Sequence, residues 1–133
     1  MFNDPKGNTK AVFGTGGSAV AAVTGSAIDA IDFRHAIVLA ATAGATATGT
    51  LVVKVQECDT SGGTYADISG ASVSFAANSD LTLKTISVDL TKAERLRYLK
   101  VVGTVGTDVV EYTATVLLIN PAETSSYAYD ATV

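Results

Sequence analysis

The chain has 133 residues, which predicts one domain that is large enough to bury its own core. Hydrophobic residues make up 47% of it, but tryptophan is absent and only 17% of the residues are charged. The net charge of −4 excludes a basic surface for nucleic-acid phosphates, and a single cysteine excludes an internal disulfide.

Residues 1–25 are rich in glycine and carry scattered apolar side chains such as Phe2, Val12 and Phe13 without a sustained period. This pattern predicts an extended N-terminal arm with at most one short strand. The first residues lack the charged-then-apolar layout of a secretion signal. The most apolar stretch, AIVLAATA at 36–43, is about half the length that a membrane span requires. We therefore expect a protein made in a host cytoplasm, with no membrane partner.

Residues 26–120 are predicted to form the folded domain. A buried strand at 36–40 is followed by a loop at 42–49, and then by a strand at 51–57 in which apolar and polar residues alternate. Short strands are predicted at 64–68 and 72–75. The stretch 81–90 alternates again, with Leu81, Leu83, Ile86 and Val88 as candidates for the inward face. Residues 92–97 allow one helical turn, and two more strands follow at 98–105 and 109–119.

Seven or eight short strands with turn residues between them predict an all-β fold, a single antiparallel β-sandwich or jelly roll. Residues 121–133 are predicted to form a polar C-terminal tail, in which Tyr127 and Tyr129 occupy alternate positions. Both ends of the chain are thus predicted to be arms outside the sandwich.

The only cysteine, Cys58, lies between Glu57 and Asp59 before a Gly62-Gly63 turn. Neighbouring carboxylates disfavour a thiolate, so the pattern predicts a thiol at a strand end rather than a nucleophile. Glu57, Asp59 and Asp67 also lack the close spacing of a calcium loop, so a solvated hairpin tip is the favoured interpretation.

The only histidine, His35, cannot form a zinc site from this chain alone. The stretch GTGGS at 14–18 does not match the phosphate-binding loop GxxxxGK[ST], and no GxSxG motif of a hydrolase occurs. We therefore predict that the protein is not an enzyme and uses no metal or other cofactor.

Several side chains are instead candidates for contacts with a partner protein. Arginine forms bidentate bonds to carboxylates, and aromatic side chains on arms dock either on their own sheet or on a neighbour. The candidate partner-binding residues are Phe2, Phe13, Arg95, Arg97, Tyr127 and Tyr129.

Two stretches, VVKVQECDTSGGTYADISGASV and ERLRYLKVVGTVG, resemble a family of small structural proteins of tailed phages. The residues that carry the resemblance are Lys54, Gln56, Glu57, Asp59, Tyr65, Asp67, Ile68, Arg97, Tyr98, Leu99, Lys100 and Val101. The similarity covers roughly residues 28–120, and it departs at Cys58, where serine is usual in the family.

The resemblance implies a capsid decoration, or cement, protein with a jelly-roll-like sandwich that assembles as a homotrimer on the virion. Its partners would be the major capsid protein and further copies of itself, bridged through the arms. Other interpretations stay open, namely a head-fibre or tail component, or a carbohydrate-binding module that uses exposed aromatic residues. The absence of tryptophan weakens the last of these.

Overall fold

The computed structural model describes residues 9–31, 33–119 and 131–132. These residues form ten strands that share two sheets. The strands are β1 (Thr9–Gly17), β2 (Ala22–Thr24), β3 (Ile28–Asp29), β4 (His35–Ala45), β5 (Thr50–Cys58), β6 (Ala66–Phe75), β7 (Leu83–Asp89), β8 (Tyr98–Gly106), β9 (Val110–Ile119) and β10 (Ala131–Thr132).

Sheet A has the strand order β1-β9-β4-β7-β10, and sheet B has the order β2-β8-β5-β6, with β3 also paired to β8. The antiparallel pairs β1–β9, β2–β8, β4–β7 and β5–β6 are nested, as if one long hairpin had been rolled up. This is the arrangement of a jelly roll, so the predicted all-β sandwich is confirmed. The one parallel pair among the described strands joins the two residues of β10 to β7.

Alternation along the strands places one side chain in two between the sheets. On β5 the residues Leu51, Val53 and Val55 are buried, as the sequence predicts, and β8 contributes Leu99 and Val101. Other fully buried side chains of the core are Ile86, Leu118, Val38, Val88, Val110 and Val116.

A close contact between the sheets involves Tyr112 of β9 and Gly103 of β8. The ring of Tyr112 lies where a Cβ atom on residue 103 would have to be. Tyr112 is 4% exposed, and this burial raises the pKa of its hydroxyl above the usual value for tyrosine. Glycine at position 103 thus lets an aromatic ring of one sheet lie directly on the backbone of the other.

The predicted N-terminal arm is wrong for residues 9–25, because the sandwich begins at Thr9 rather than at residue 26. Strand β1 is an edge strand of sheet A, and β2 pairs with β8 in sheet B. Strand β1 lacks a strong apolar pattern because its inward positions lie close to other backbone and side chains. A Cβ atom on Gly14 would come within 2.8 Å of the Ala114 carbonyl oxygen and 3.1 Å of the Val101 side chain.

Three smaller differences concern strand limits and the inward face of β7. The strands predicted at 64–68 and 72–75 are one strand, β6, whose register shifts opposite β5. Strand β4 continues to Ala45 into the predicted loop. Ile86 and Val88 point inward as expected, but Leu81 and Leu83 are 84% and 60% exposed.

Candidate interaction surfaces

The β5–β6 hairpin contains the first stretch that carries the family resemblance. The amine of Lys54 donates to Asp67 at 3.0 Å, and the amide of Gln56 donates to the other carboxylate oxygen at 2.8 Å. These two donors, Gln56 first, lower the pKa of Asp67 below its usual value. On the same hairpin, the hydroxyl of Tyr65 donates to the Ser61 carbonyl oxygen at 2.9 Å. The characteristic side chains of this stretch therefore hold the hairpin in shape.

Cys58 is buried at the end of β5, with only 5% of its surface exposed. Its Sγ atom lies 3.7 Å from the Asp59 carboxylate and 3.8 Å from the Thr60 hydroxyl. Gly63 comes so close that a Cβ atom there would lie 2.5 Å from the sulfur. The thiol is thus enclosed by its own turn and is not presented to solvent.

Arg95 and Glu57 form a largely buried ion pair next to the start of β8. Their side chains are 11% and 12% exposed, and Nε of the guanidinium lies 3.5 Å from a Glu57 carboxylate oxygen. The same oxygen accepts a hydrogen bond from the Leu96 backbone amide at 3.1 Å. The predicted partner residue Arg95 is therefore turned mostly inward, where it fixes the 92–97 turn to strand β5.

Arg97, the neighbouring candidate, is exposed and bonded to Asp29 of β3. Its Nε and Nη2 atoms donate to the two carboxylate oxygens at 2.9 and 2.8 Å. This bidentate pair is the main cause that lowers the pKa of Asp29 to about 2. The guanidinium also lies 5.0 Å from the centre of the Tyr98 ring. A partner that contacts Arg97 would therefore also meet Asp29 and Tyr98, which lie against its guanidinium.

The other predicted residues fall into two groups. Phe13 is 65% exposed on β1, with its ring over Gly16, where a Cβ atom would be 3.2 Å from the ring edge. Phe2, Tyr127 and Tyr129 lie outside the residues that the structure describes. His35, at the start of β4, is half-buried with its Nε2 atom 3.9 Å from the Asp89 carboxylate.

The outer side of sheet A is the surface that the sequence interpretation missed. We define face A as the three central rows of outward positions on its four antiparallel strands, taken from the strand register; Ser87, the outward position of β7 in the third row, is left out because it is only 5% exposed. They are Gly16, Thr113, Ala41 and Leu83 in the first row, Phe13, Thr115, Leu39 and Thr85 in the second, and Ala11, Leu117 and Ile37 in the third. Every one of these residues is at least partly exposed, and none is ionisable. The outward positions that flank the three rows are ionisable, with Glu111 of β9 at one end and the His35–Asp89 pair at the other.

A signal for face A was present in the sequence. Strands β4 and β9 contain the apolar runs AIVLAATA and VLLI, which do not alternate with polar residues. Unbroken apolar runs are typical of strands that are covered on both faces, whereas an antiparallel sheet with one solvated face alternates. The apolar residues on the outward side of β4 and β9 therefore indicated that this side is covered by something. The prediction of a sandwich with one buried face per sheet did not take that signal into account.

The outer side of sheet B has a different character. We define face B as the outward positions Thr104, Val52, Ser74, Lys54, Ser72, Lys100, Gln56 and Asp67. Besides the Lys54–Asp67 pair, it presents the Lys100 amine 4.4 Å from the centre of the Tyr65 ring. The charged side chains of face B therefore already have partners within the chain: Lys54 binds Asp67, and Lys100 lies against the Tyr65 ring.

Within residues 9–31, 33–119 and 131–132, no three His, Cys, Asp or Glu side chains come together in a way that suits a metal ion. The described part of the chain also contains no helix that is long and apolar enough to cross a membrane.

No known protein family and no curated protein sequence matches this chain. Similar solved structures include two phage-related proteins. The PBSX exported protein XepA superposes with a TM-score of 0.59 at 16% identity, over 91% of this chain and 40% of its own. The SPBc2 prophage-derived protein YomS superposes with a TM-score of 0.52 at 13% identity, over 84% of this chain and 93% of its own. The chain thus spans less than half of the length of XepA, and at these identities the likeness is one of fold.

Proposed function

We propose that the chain is a structural protein encoded by a bacteriophage or prophage. The observation that carries this proposal is the likeness in fold, over most of the chain, to the phage-related proteins XepA and YomS. The strand order adds support, because the jelly roll is a frequent fold of viral capsid proteins. A binding role rather than catalysis also suits a surface on which the one thiol is buried and the conspicuous arginines are paired.

The more specific role that we propose is decoration of the capsid on the virion. The protein would lie across neighbouring copies of the major capsid protein and strengthen the shell by many weak contacts acting together. The family resemblance supports this role. Around residues 54–67, the side chains on which the resemblance rests are those that hold the β5–β6 hairpin together. In this stretch the resemblance is therefore evidence for the fold.

A second candidate function is that of an exported prophage protein, because XepA is an exported protein. This chain would then correspond to one part of a longer protein of that type. The carbohydrate-binding alternative gains less support from the structure. One side of the Tyr65 ring and one side of the Tyr98 ring lie against Lys100 and Arg97, and free ring faces are what a sugar would stack on.

The test is the location of the protein in cultures of the phage or lysogen that encodes it. Particles purified on a density gradient are analysed by mass spectrometry and cryo-electron microscopy, and the particle-free supernatant is analysed beside them. We expect the protein on the particles, with density over the capsid lattice. Deletion of its gene should make the particles lose their genome at a lower temperature. Recovery from the supernatant alone contradicts the proposal and favours the exported role.

A further inference from the structure

A hollow in the surface lies at the first row of face A. It has a volume of about 420 Å³ and opens to solvent between β1, β9 and β4. Most of its lining is small, so the hollow has room for a side chain from outside. The lining residues are Gly17, Ala41, Thr42, Ala43, Leu81, Glu111, Tyr112 and Thr113.

Leu81 stands at the rim of this hollow with 84% of its surface exposed. Its φ angle of 46° lies in the left-handed region, which costs a bulky residue about 1–3 kcal/mol. Strained residues of this kind persist where the surrounding structure fixes them, and they cluster at binding sites. An apolar side chain that is both strained and exposed contributes little to the isolated domain, which points to a contact made in a complex.

The loop that carries Leu81 is firmly attached to the end of β4. The backbone amide of Thr82 donates to the Thr42 hydroxyl at 3.0 Å, and that hydroxyl donates to the Ser79 carbonyl oxygen. The Asp80 carboxylate accepts a hydrogen bond from the Ala45 amide. The backbone that carries Leu81 is therefore fixed before binding, which lowers the loop entropy that a partner would have to remove.

The charge distribution favours a second copy of this chain as the partner. The chain carries a net charge of −4, so two copies repel one another when charged surfaces meet. The three rows of face A can meet without burying an ion, because they carry no ionisable side chain, and Glu111 and the His35–Asp89 pair would lie at the two ends of the contact. Among the described residues that line the hollow, Glu111 is the one that carries a charge, and it is exposed at the edge of the contact.

The size of face A also suits a pair of copies. Eleven positions, on strands about 4.8 Å apart and in rows about 6.8 Å apart, cover roughly 360 Å² per copy before Leu81 and its loop are added. A symmetric pair would then bury about 1,000 Å² in total, which is the lower limit for a specific interface.

We propose that two copies of this chain pack face A against face A, with Leu81 of each copy in the hollow of the other. A protruding side chain and a matching hollow beside each other on one surface are what a two-fold interface requires, because each copy then supplies both parts. The contact gives pairs, in contrast to the trimers that the family resemblance implies. It does not rest on the proposed function, since it holds for a virion protein and for an exported one alike.

The mass of the full chain, measured by analytical ultracentrifugation over a range of concentrations, tests the proposal. We expect a monomer–dimer equilibrium that Leu81→Asp and Leu83→Asp each weaken at least tenfold. Val52→Asp is the matched control, because Val52 is an exposed apolar residue on face B, and it should leave the equilibrium unchanged. A monomer at every concentration, a trimer, or a dimer that is indifferent to Leu81→Asp overturns the proposal.

Leu81→Gly separates a binding role from a structural one. Glycine adopts the left-handed conformation without strain, so this variant should melt at the same temperature as the parent or higher, while its dimer dissociates at least tenfold more readily. A lower melting temperature with unchanged dimerisation shows that Leu81 serves the fold alone. A photo-crosslinking phenylalanine at position 83 identifies the occupant. Links to face A of a second copy support the proposal, and links within one chain or only to a foreign protein contradict it.

Discussion

Face A and face B lie on opposite sides of the same jelly roll and differ in what they offer to a partner. Face B has Lys54, Gln56 and Asp67 bonded to one another, so its polar groups are satisfied without a partner. Face A presents Phe13, Leu39 and Leu83 among small and hydroxylated residues, and the nearest ionisable outward positions, Glu111 and the His35–Asp89 pair, lie beyond its first and third rows. The difference teaches that the two sheets of one sandwich can differ in the polarity of their outer sides, and the proposed self-association would use the less polar one.

The largest expected effect concerns the core that both faces share. Gly103→Ala would drive a methyl group into the Tyr112 ring, and overpacking of this kind costs about 3 kcal/mol of unfolding free energy. Urea denaturation measures the loss. Gly62→Ala is the control, because no atom lies within 4 Å of a Cβ atom at that position. Equal stability of the two variants would show that the sheets are not in such close contact.

The next effect tests whether the ion pair beneath the 92–97 turn stabilises the sheet B side of the molecule. Glu57→Gln removes the charge that faces the largely buried guanidinium of Arg95, and we expect a loss of about 2 kcal/mol. Glu94→Gln is the matched control, because Glu94 is 68% exposed and lies 3.9 Å from the same guanidinium. If Glu94→Gln lost as much stability as Glu57→Gln, the stabilising role of the Glu57–Arg95 pair would be contradicted.

A matched pair of lysines sharpens the contrast between the faces themselves. Thr115→Lys places a charge in the middle of face A, and Thr104→Lys places one on face B. Both side chains point outward from their strands, so we expect both variants to fold. The first should weaken self-association at least tenfold, or about 1.4 kcal/mol, and the second should not change it. Equal effects on ultracentrifugation would remove the distinction between the two faces.

The smallest effect concerns the exposed pair at the edge of sheet B. The pKa of Asp29 is lowered to about 2, so the unfolded chain takes up this proton at a higher pH than the folded chain does. The stabilisation is therefore complete above about pH 4 and is lost as the pH falls toward 2. The melting temperatures of the parent and of Asp29→Asn should differ slightly at pH 6 and converge near pH 2. A difference that is independent of pH would contradict this.

Much of the fold follows from patterns local in the sequence. The alternation of Leu51, Val53 and Val55 predicts β5 correctly, and the glycine turn at 62–63 predicts its hairpin with β6. Strand β1 escaped prediction because its inward residues are Gly14 and Thr15, which fit a narrow space that only the folded structure creates. Apolar period alone cannot reveal a strand whose packing requires small residues.

The interaction surfaces were less predictable, because they depend on pairs of residues that are distant in the sequence. Arg95 was expected to meet a partner, but Glu57, which lies in another strand, holds it inside the molecule. Leu81 and Leu83 alternate with polar residues, as Ile86 and Val88 do, which suggested that all four are buried. The two pairs are out of phase, however, because an odd number of positions separates Leu83 from Ile86. The turn that precedes β7 instead gives Leu81 a left-handed conformation, and Leu83 lies on the outer side of sheet A.

The position of β9 has a consequence for the way the chain folds. It is the last long strand in the described sequence, yet it lies in the interior of sheet A, and among the described strands of that sheet β1 pairs with β9 alone. Thr9 therefore finds its neighbour Ile119 only after the residues between them have left the ribosome. Contacts between such remote residues make folding slow, on the order of milliseconds to seconds for all-β domains of this kind. During synthesis, residues 9–17 therefore stay unpaired until β9, about a hundred residues later, has been made.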